Sequence, residues 1–381
     1  MRPDARAQVA IEVLDGVLEG AGDGPLLTGT SAEALLTRWA RGARYAGSGD
    51  RAAVRDLVFS ALRRLRTSAA SGGSLTGRGV IAGLIAGTGA DPEASFTGAD
   101  HAPARLDAAE RAAARPPTGG EVLDMPDWLV PHLSASLGDR MDPVCALLRE
   151  RAPVHLRANA VKTDREGLID ALAADGIVAR AHPLSPTAVE VTDGERRLRG
   201  TRALREGWAE PQDAASQAVS DFVPVGPGMR VLDMCAGGGG KALALAARGA
   251  SVSAWDADPA RMKDIPVRAA RAGVQIEVLA EPGSGWDVIL CDVPCSGSGA
   301  WRRAPEGKWR LTHGGLADLL NVQKGILDDA RRRVSPGGCI AYATCSLLDV
   351  ENRPEGGSGR QSLTLTPLDG GDGFHVALIG P

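Results

Sequence analysis

Two cysteines stand out by what surrounds them. Cys295 lies in DVPCSGSG (292–299) and Cys345 in YATCS (342–346), each just beyond an apolar run and beside small polar residues. Such a position leaves a thiol accessible and open to activation as a thiolate, the reactive form of cysteine. A third segment, VLDMCAGGGGK (231–241), runs from apolar residues into four glycines, Gly237 to Gly240, ahead of a helical stretch. Glycines let the backbone approach a ligand closely, and a helix start favours a carboxylate or phosphate. Asp256 closes the next apolar run, 23 residues after Asp233, where an acid commonly binds ribose hydroxyls. Alone, this loop indicates a nucleoside-containing cofactor and does not separate NAD from S-adenosylmethionine (SAM).

A thiolate, a carboxylate and a sulfonium donor together would solve one chemical problem. Carbon 5 of a pyrimidine is too poor a nucleophile to attack a methyl sulfonium directly. Adding a thiolate to carbon 6 pushes electron density onto carbon 5 and splits a hard step into easier ones. Asp292, beside nitrogen 3 and the amino group of cytosine, would stabilise the charge that develops. A base must then remove the carbon 5 proton so that the thiol can leave. These residues do not by themselves say which cysteine attacks, since DNA cytosine methyltransferases use the one in a PC motif.

The elements that must position these groups alternate regularly from about residue 211. MRVLDM, VSAWD, QIEVLA, WDVILCD and GGCIAYATCS read as strands, with KALALAARG, PARMKDIPVRAARAG and GGLADLLNVQKGILDDARRRV as the helices among them. Apolar strands alternating with helices imply an α/β, doubly wound parallel sheet covered on both faces. Neighbouring strand ends then line one crevice, which places Cys295 and Cys345 together near the glycine loop. Cys291 and Cys339 fall inside apolar strands and Cys145 elsewhere, all three read as packed and inert. No paired His completes a metal site, and none is expected.

Ahead of this region, VHLRANAV, DREGLIDALAADG and TAVEVTD read as strand, helix and strand, a small α+β module of split βαβ type. Residues 126–150 read as two short helices. Residues 4–20 and 50–66 show helical apolar spacing, with Ser31 and Asp50 as N-caps and a short helix near 77–87. The expected domains are an all-helical one at 1–122, the α+β module at 123–208 and the doubly wound sheet at 209–381.

Composition narrows the class. The chain has 381 residues, 44% hydrophobic and 24% charged, which excludes wholesale disorder. A net charge of -4 excludes a generally basic coat, though a local basic face remains open. No apolar run approaches the roughly 18 residues of a membrane span, and no signal-peptide core is evident. Six Cys in so long a chain are no disulfide framework, so a cytoplasmic protein, with no membrane association, is expected. Only five of 43 basic residues are Lys, so Lys241 and Lys308, inside motifs, suggest sites that want a compact ammonium.

PQDAASQ, VLDMCAGGGGK, DVPCSGSG, RRAPEGKW, YATCSLLDVEN and GDGFHVALI together resemble the Nol/Nop/Sun family of RNA 5-methylcytosine methyltransferases, in its bacterial small-subunit rRNA branch. RWARGARYAGSGDRAAVRDLVFSALRR resembles a NusB-like RNA-binding domain. The resemblance implies a Rossmann-like, SAM-dependent methyltransferase domain, methylation of a cytosine in small-subunit ribosomal RNA, and a monomer. It implies Cys345 as nucleophile, Cys295 as an aid to product release and Asp292 as the group that holds the cytosine. SAM would sit on Cys235, Ala236, Gly237, Gly238, Gly239, Gly240, Lys241, Asp256 and Arg261, with Asp292 adjoining. Lys308, Arg302 and Arg303 would contact RNA.

Four departures from the family pattern are legible. Position 238 is Gly where the loop usually has Pro, which would loosen it. The acid normally following the third strand is missing, leaving Glu281 nearby. RRAPEGKW has Ala304, Glu306 and Gly307 at altered positions, and a helix after Asn352 is shortened away, which would bare part of the sheet. These favour, as an alternative, a catalytically weakened RNA-binding or ribosome-assembly protein with a degenerate methyltransferase domain. An NAD oxidoreductase shares the loop but gives the two cysteines no role.

Overall fold

A computed structural model describes residues 1–20, 26–353 and 361–380. Its contacts gather into two compact units, Met1–Arg151 with Trp301–Gly315, and Ala152–Ala300 with Leu316–Pro381. The sequence reading places its boundaries after 122 and 208 instead. No helix among the described residues is long and apolar enough to cross a membrane.

The first unit is helical, with helices at Pro3–Leu18, Ala32–Gly42, Ser48–Arg63, Leu65–Ser71 and Gly77–Ala86 around a core of Leu14, Val17, Val54, Val58, Leu62, Leu65, Ile81 and Phe96. Ser31 caps as expected, accepting from the Ala34 amide at 3.3 Å. Asp50 does not: the helix begins two residues earlier, behind Gly47, and Asp50 reaches back from its third position to the Gly47 amide at 3.2 Å. The last two helices cross through glycine, since a Cβ on Gly83 would meet the Ser68 carbonyl oxygen at 1.9 Å.

The chain returns to this unit at Trp301–Gly315, and that return corrects an expectation about Lys308 and Arg302. Both are buried, Lys308 completely, so neither offers its charge to RNA; Arg303 alone of the three is exposed. Lys308 Nζ donates to the Arg63 carbonyl at 2.9 Å and lies 4.5 Å from the Trp309 ring centre. Burial pulls its ammonium down to about 8, against the opposing charge of Asp124. Trp309 is buried in the same core, its indole Nε1 donating to the Leu62 carbonyl at 2.6 Å. A motif lysine has become a structural one.

The second unit holds two sheets. Strands β1 (Val154–Ala158), β2 (Val178–Ala181), β3 (Ala188–Asp193) and β4 (Ala209–Pro211) form an antiparallel sheet in the order β2-β3-β1-β4. Helix Arg165–Ala174, capped by Asp164 on the Gly167 amide at 2.7 Å, packs Leu168 and Leu172 against Leu156, Ala158 and Val189. The larger sheet comprises β5 (Arg230–Asp233), β6 (Ser251–Ala254), β7 (Ile276–Val278), β8 (Trp286–Asp292), β9 (Val334–Thr344), β10 (Gln361–Leu365) and β11 (Phe374–Ile379), ordered β10-β11-β9-β8-β5-β6-β7. Its five central and outer strands β9-β8-β5-β6-β7 run parallel, and β10 and β11 close one side antiparallel. The chain winds outward from β5 to β7 and resumes on the other side at β8, so the order reverses between β5 and β8. The expected doubly wound, Rossmann-like α/β class is what the chain adopts.

The shortened connection after Asn352 falls on residues 354–360, outside the described residues. On the side of the sheet next to that connection, the edge strand β10 is mostly exposed and β11 beside it is buried along most of its length. Replacing Trp309 by Ala should lower stability by ~3–5 kcal/mol, the usual cost of emptying a large core site. Urea unfolding followed by circular dichroism would show this as a lower midpoint at unchanged slope.

Candidate active site

The site is built from strand ends. Parallel pairing aligns Asp233 of β5 with Leu290 of β8, and Asp292 of β8 with Ala343 of β9. The chains leaving these strands therefore emerge side by side. Cys295 and Cys345 meet there, their sulfurs 3.4 Å apart. The Cys295 thiol stands well above the usual range, first because it shares its hydrogen bond with Cys345 and then because it is buried. Either thiol can donate to the other across this contact.

Beside the thiols lies a buried charge cluster. Lys241 Nζ pairs with Asp292 Oδ2 at 2.7 Å and stands 5.0 Å from the Phe374 ring centre. Burial would lower this lysine, but the charge and hydrogen bond of Asp292, then Cys345 and Asp233, outweigh it and hold the ammonium above its ordinary range. Lys241 thus reaches away from its own loop to orient Asp292. Asp233 is fully buried, and burial followed by the neighbouring Asp292 charge pushes its carboxyl up to about 7. Its Oδ1 has no hydrogen-bond partner.

The glycine loop follows Asp233. Gly237 and Gly239 have φ of 48° and 78°, which explains glycine at both. Asp256, at the end of β6, is 4% exposed and accepts from the Gly237 amide at 2.9 Å, from the Asp258 amide at 3.0 Å and from Arg261 at 3.0 Å. Cys235 is half-buried and Ala236 buried. Arg268 donates to the Gly238 carbonyl and pairs with Glu210 at 2.9 Å. Position 238 lacks proline, and this guanidinium restrains the loop where a ring would have. Arg157, buried in β1, donates to the Gly240 carbonyl at 2.7 Å and ties the small sheet to the loop.

Several of these residues escape sequence reasoning. Glu351, 1% exposed in the short helix Asp349–Asn352, accepts hydrogen bonds from both cysteine loops, and Gln323 of helix His313–Arg333 joins it at 3.0 Å. The only signal was its place inside YATCSLLDVEN. Arg157 and Arg268 lie in no motif of the sequence, and nothing in their spacing points to the loop they hold. Among the other cysteines, Cys145 and Cys291 are buried as expected, whereas Cys339, midway along β9, is half-buried. Glu281, the acid left near the third parallel strand, is exposed. Among the described residues His155, His182 and Glu190 bring metal-type ligand atoms within 4.8 Å. Glu190 is already paired with Arg180 at 2.8 Å, and His182 Nδ1 accepts from the Leu184 amide at 3.3 Å.

Similarity to known proteins accords with this geometry. A family profile described as 16S rRNA methyltransferase RsmB/F matches residues 224–355. A second, described as an RsmF/B-like ferredoxin-like domain, matches residues 125–195, and together they take in more than half of the chain. The chain belongs to the RsmB/F family.

Ribosomal RNA small subunit methyltransferase B of Salmonella newport (strain SL254) is 33% identical over 241 residues, covering 60% of this chain and 56% of that protein. The protein of the same name from Salmonella agona (strain SL483) matches to the same extent. The chain thus spans just over half the length of these relatives. Among solved structures, PH0851 matches with a TM-score of 0.74 at 19% identity over 100% of this chain and 99% of its own. NSun6 from Pyrococcus horikoshii, solved with SFG, gives 0.58 at 16% identity over 67% of this chain and 98% of its own. At such identities these two show the fold.

The raised Asp233 carboxyl gives a pH signature. Between pH ~4, where an unfolded Asp releases its proton, and pH about 7, the folded chain holds a proton that the unfolded chain has lost. Stability contributed by this group is therefore present at low pH and lost as pH rises toward 7. Asp233→Asn should remove that fall, giving a gain on the order of 2–4 kcal/mol relative to the parent on passing from pH 4.5 to pH 8. Denaturant melts of both proteins across this range would check it.

Proposed function

We propose that this protein is a SAM-dependent RNA methyltransferase acting on carbon 5 of a cytosine in small-subunit ribosomal RNA, through a transient bond from Cys345. The observation that carries this reading is the meeting of two thiols, 3.4 Å apart, beside a carboxylate oriented by a buried lysine. The family to which the chain belongs and the names of its relatives support the rRNA substrate. The helical region 1–122 and the α+β region 123–208 would bind RNA, with Arg303 on an exposed surface, and residues 209–381 would carry the chemistry.

The residues present fit the cofactor. A loop with two left-handed glycines, an acid at the end of the next strand, and an orphaned buried carboxylate oxygen at its base form a polar cradle. Cys235, Ala236, Gly237, Gly238, Gly239, Gly240, Asp256 and Arg261 would hold SAM, which when bound supplies an electrophilic methyl group. The Arg268 bond to Gly238 supports an ordered loop and weighs against a degenerate domain.

The chain's own groups supply the nucleophile and the side chains that orient the cytosine and the departing sulfur. Cys345 attacks carbon 6, forming a C–S bond while the carbon 5–carbon 6 pair moves to carbon 5. Asp292, fixed by Lys241, binds the cytosine edge as charge builds on the ring. Once carbon 5 is methylated its proton passes to a base, the double bond re-forms, and the C–S bond breaks with its electrons returning to Cys345. Cys295 keeps its proton next to that sulfur and can hydrogen-bond the departing thiolate. The base itself would have to be splayed out of its RNA to reach the strand ends.

Incubating RNA with methyl-labelled SAM tests the reading. Cys345→Ala should lose methylation by at least ~10³-fold, as removal of a covalent nucleophile does elsewhere. Cys295→Ala should instead form an RNA adduct that survives denaturing electrophoresis. Undiminished methylation by Cys345→Ala would overturn the assignment.

A further inference from the structure

We infer that Glu351 is a positioning residue that sets the spacing of the two thiols by gripping the serine that follows each cysteine. The role in turnover given to it rests on the covalent reading above; the geometric role does not.

A single carboxylate is shared between two loops. Glu351 Oε1 accepts from the Ser296 amide at 2.8 Å and from Gln323 Nε2 at 3.0 Å. Its Oε2 accepts from the Ser296 hydroxyl at 2.5 Å and from the Ser346 hydroxyl. Ser296 follows Cys295 and Ser346 follows Cys345, so one buried side chain holds both cysteines one residue away. Gln323 extends the grip to the other flank, donating to the Pro294 carbonyl at 2.9 Å. Asn352 does the same for Cys345, accepting from Thr344 Oγ1 at 2.5 Å and donating to the Ser346 carbonyl at 3.0 Å. Each thiol therefore sits between two clamped neighbours.

A carboxylate offers about four lone-pair positions, and four donors fill them here. Glu351 is thus saturated and has no position left for a proton from the reaction. Its contribution is geometric, and geometry matters because a displacement of about 1 Å can cost on the order of 10²-fold in rate. The Ser in each cysteine motif is accounted for as well: its hydroxyl is the handle that the carboxylate holds.

Glu351→Gln keeps the volume and replaces one acceptor oxygen with a donor. Two measurements on the full-length protein, with folding checked by circular dichroism, test the clamp. The first is titration with phenylarsine oxide, which binds tightly only where two thiols can bond one arsenic. The parent should capture it, while Glu351→Gln and Ser296→Ala should bind it at least ~10-fold more weakly. The second is the partition between methylated product and denaturation-resistant RNA adduct. Both variants should shift toward adduct, as Cys295→Ala does, with SAM affinity unchanged.

Unaltered arsenical capture in both variants would overturn the clamp, as would an equal loss of adduct and product while Cys295→Ala still traps RNA. If Glu351→Gln fails to fold, Ser296→Ala, which removes only a hydroxyl, decides the matter. If Cys295→Ala traps no RNA while arsenical capture still depends on Glu351, the covalent reading fails and the clamp stands.

Discussion

The parallel register between β8 and β9 is the constraint from which the site follows. Hydrogen bonding aligns Asp292 with Ala343, so the strands end within a residue or two of each other and their following loops start from adjacent points. Strands that leave a parallel sheet together deliver their next residues to one place. The thiols meet because the backbone ladder below them allows little else. A slip of one residue would turn every side chain of β9 to the opposite face and bury Tyr342 and Thr344 the wrong way.

Above that ladder the chemistry is arranged by buried charge. Lys241 and Asp233 are buried beside the partly exposed Asp292, where unpaired ions are costly. One cation faces two acids and pairs with Asp292, so Asp233, the acid without the salt bridge, is driven toward its neutral form. The lysine expected to touch a cofactor spends its ammonium on the carboxylate instead. Loop, carboxylate and thiols are thereby mechanically joined: Arg157 and Arg268 hold the glycine turn, Lys241 links the helix after it to Asp292, and Glu351 spans the two sulfur loops.

How much of this could be read from the sequence depends on the physical signal each part leaves. Parallel strands buried on both faces leave continuous apolar runs, so VILCD and CIAYAT announced β8 and β9 and their ends gave the cysteine pair. Two edge strands leave none: β2 is mostly exposed and β10 has three polar residues in five, and neither reads as a strand. Lys308 and Arg302 misled because a charged residue is read as surface, whereas a single backbone carbonyl and an indole ring are enough to settle a lysine inside. Asp50 was placed one capping role off, since a helix's first and third positions both favour acids. Glu351 was invisible because its partners lie 5, 28 and 55 residues away, and separations of that kind follow no period.

The return of Trp301–Gly315 to the helical unit makes that unit discontinuous along the chain. A cut after Arg151 would therefore yield two incomplete pieces. The N-terminal fragment would lack the indole that fills its own interior, and its helices would close over a void. The C-terminal fragment would carry the missing segment as a loop bearing Trp301 and Trp309 with no interior to enter, a sticky protrusion that invites self-association. Separating the two units of this protein means excising and grafting, because the boundary is crossed by the polypeptide three times.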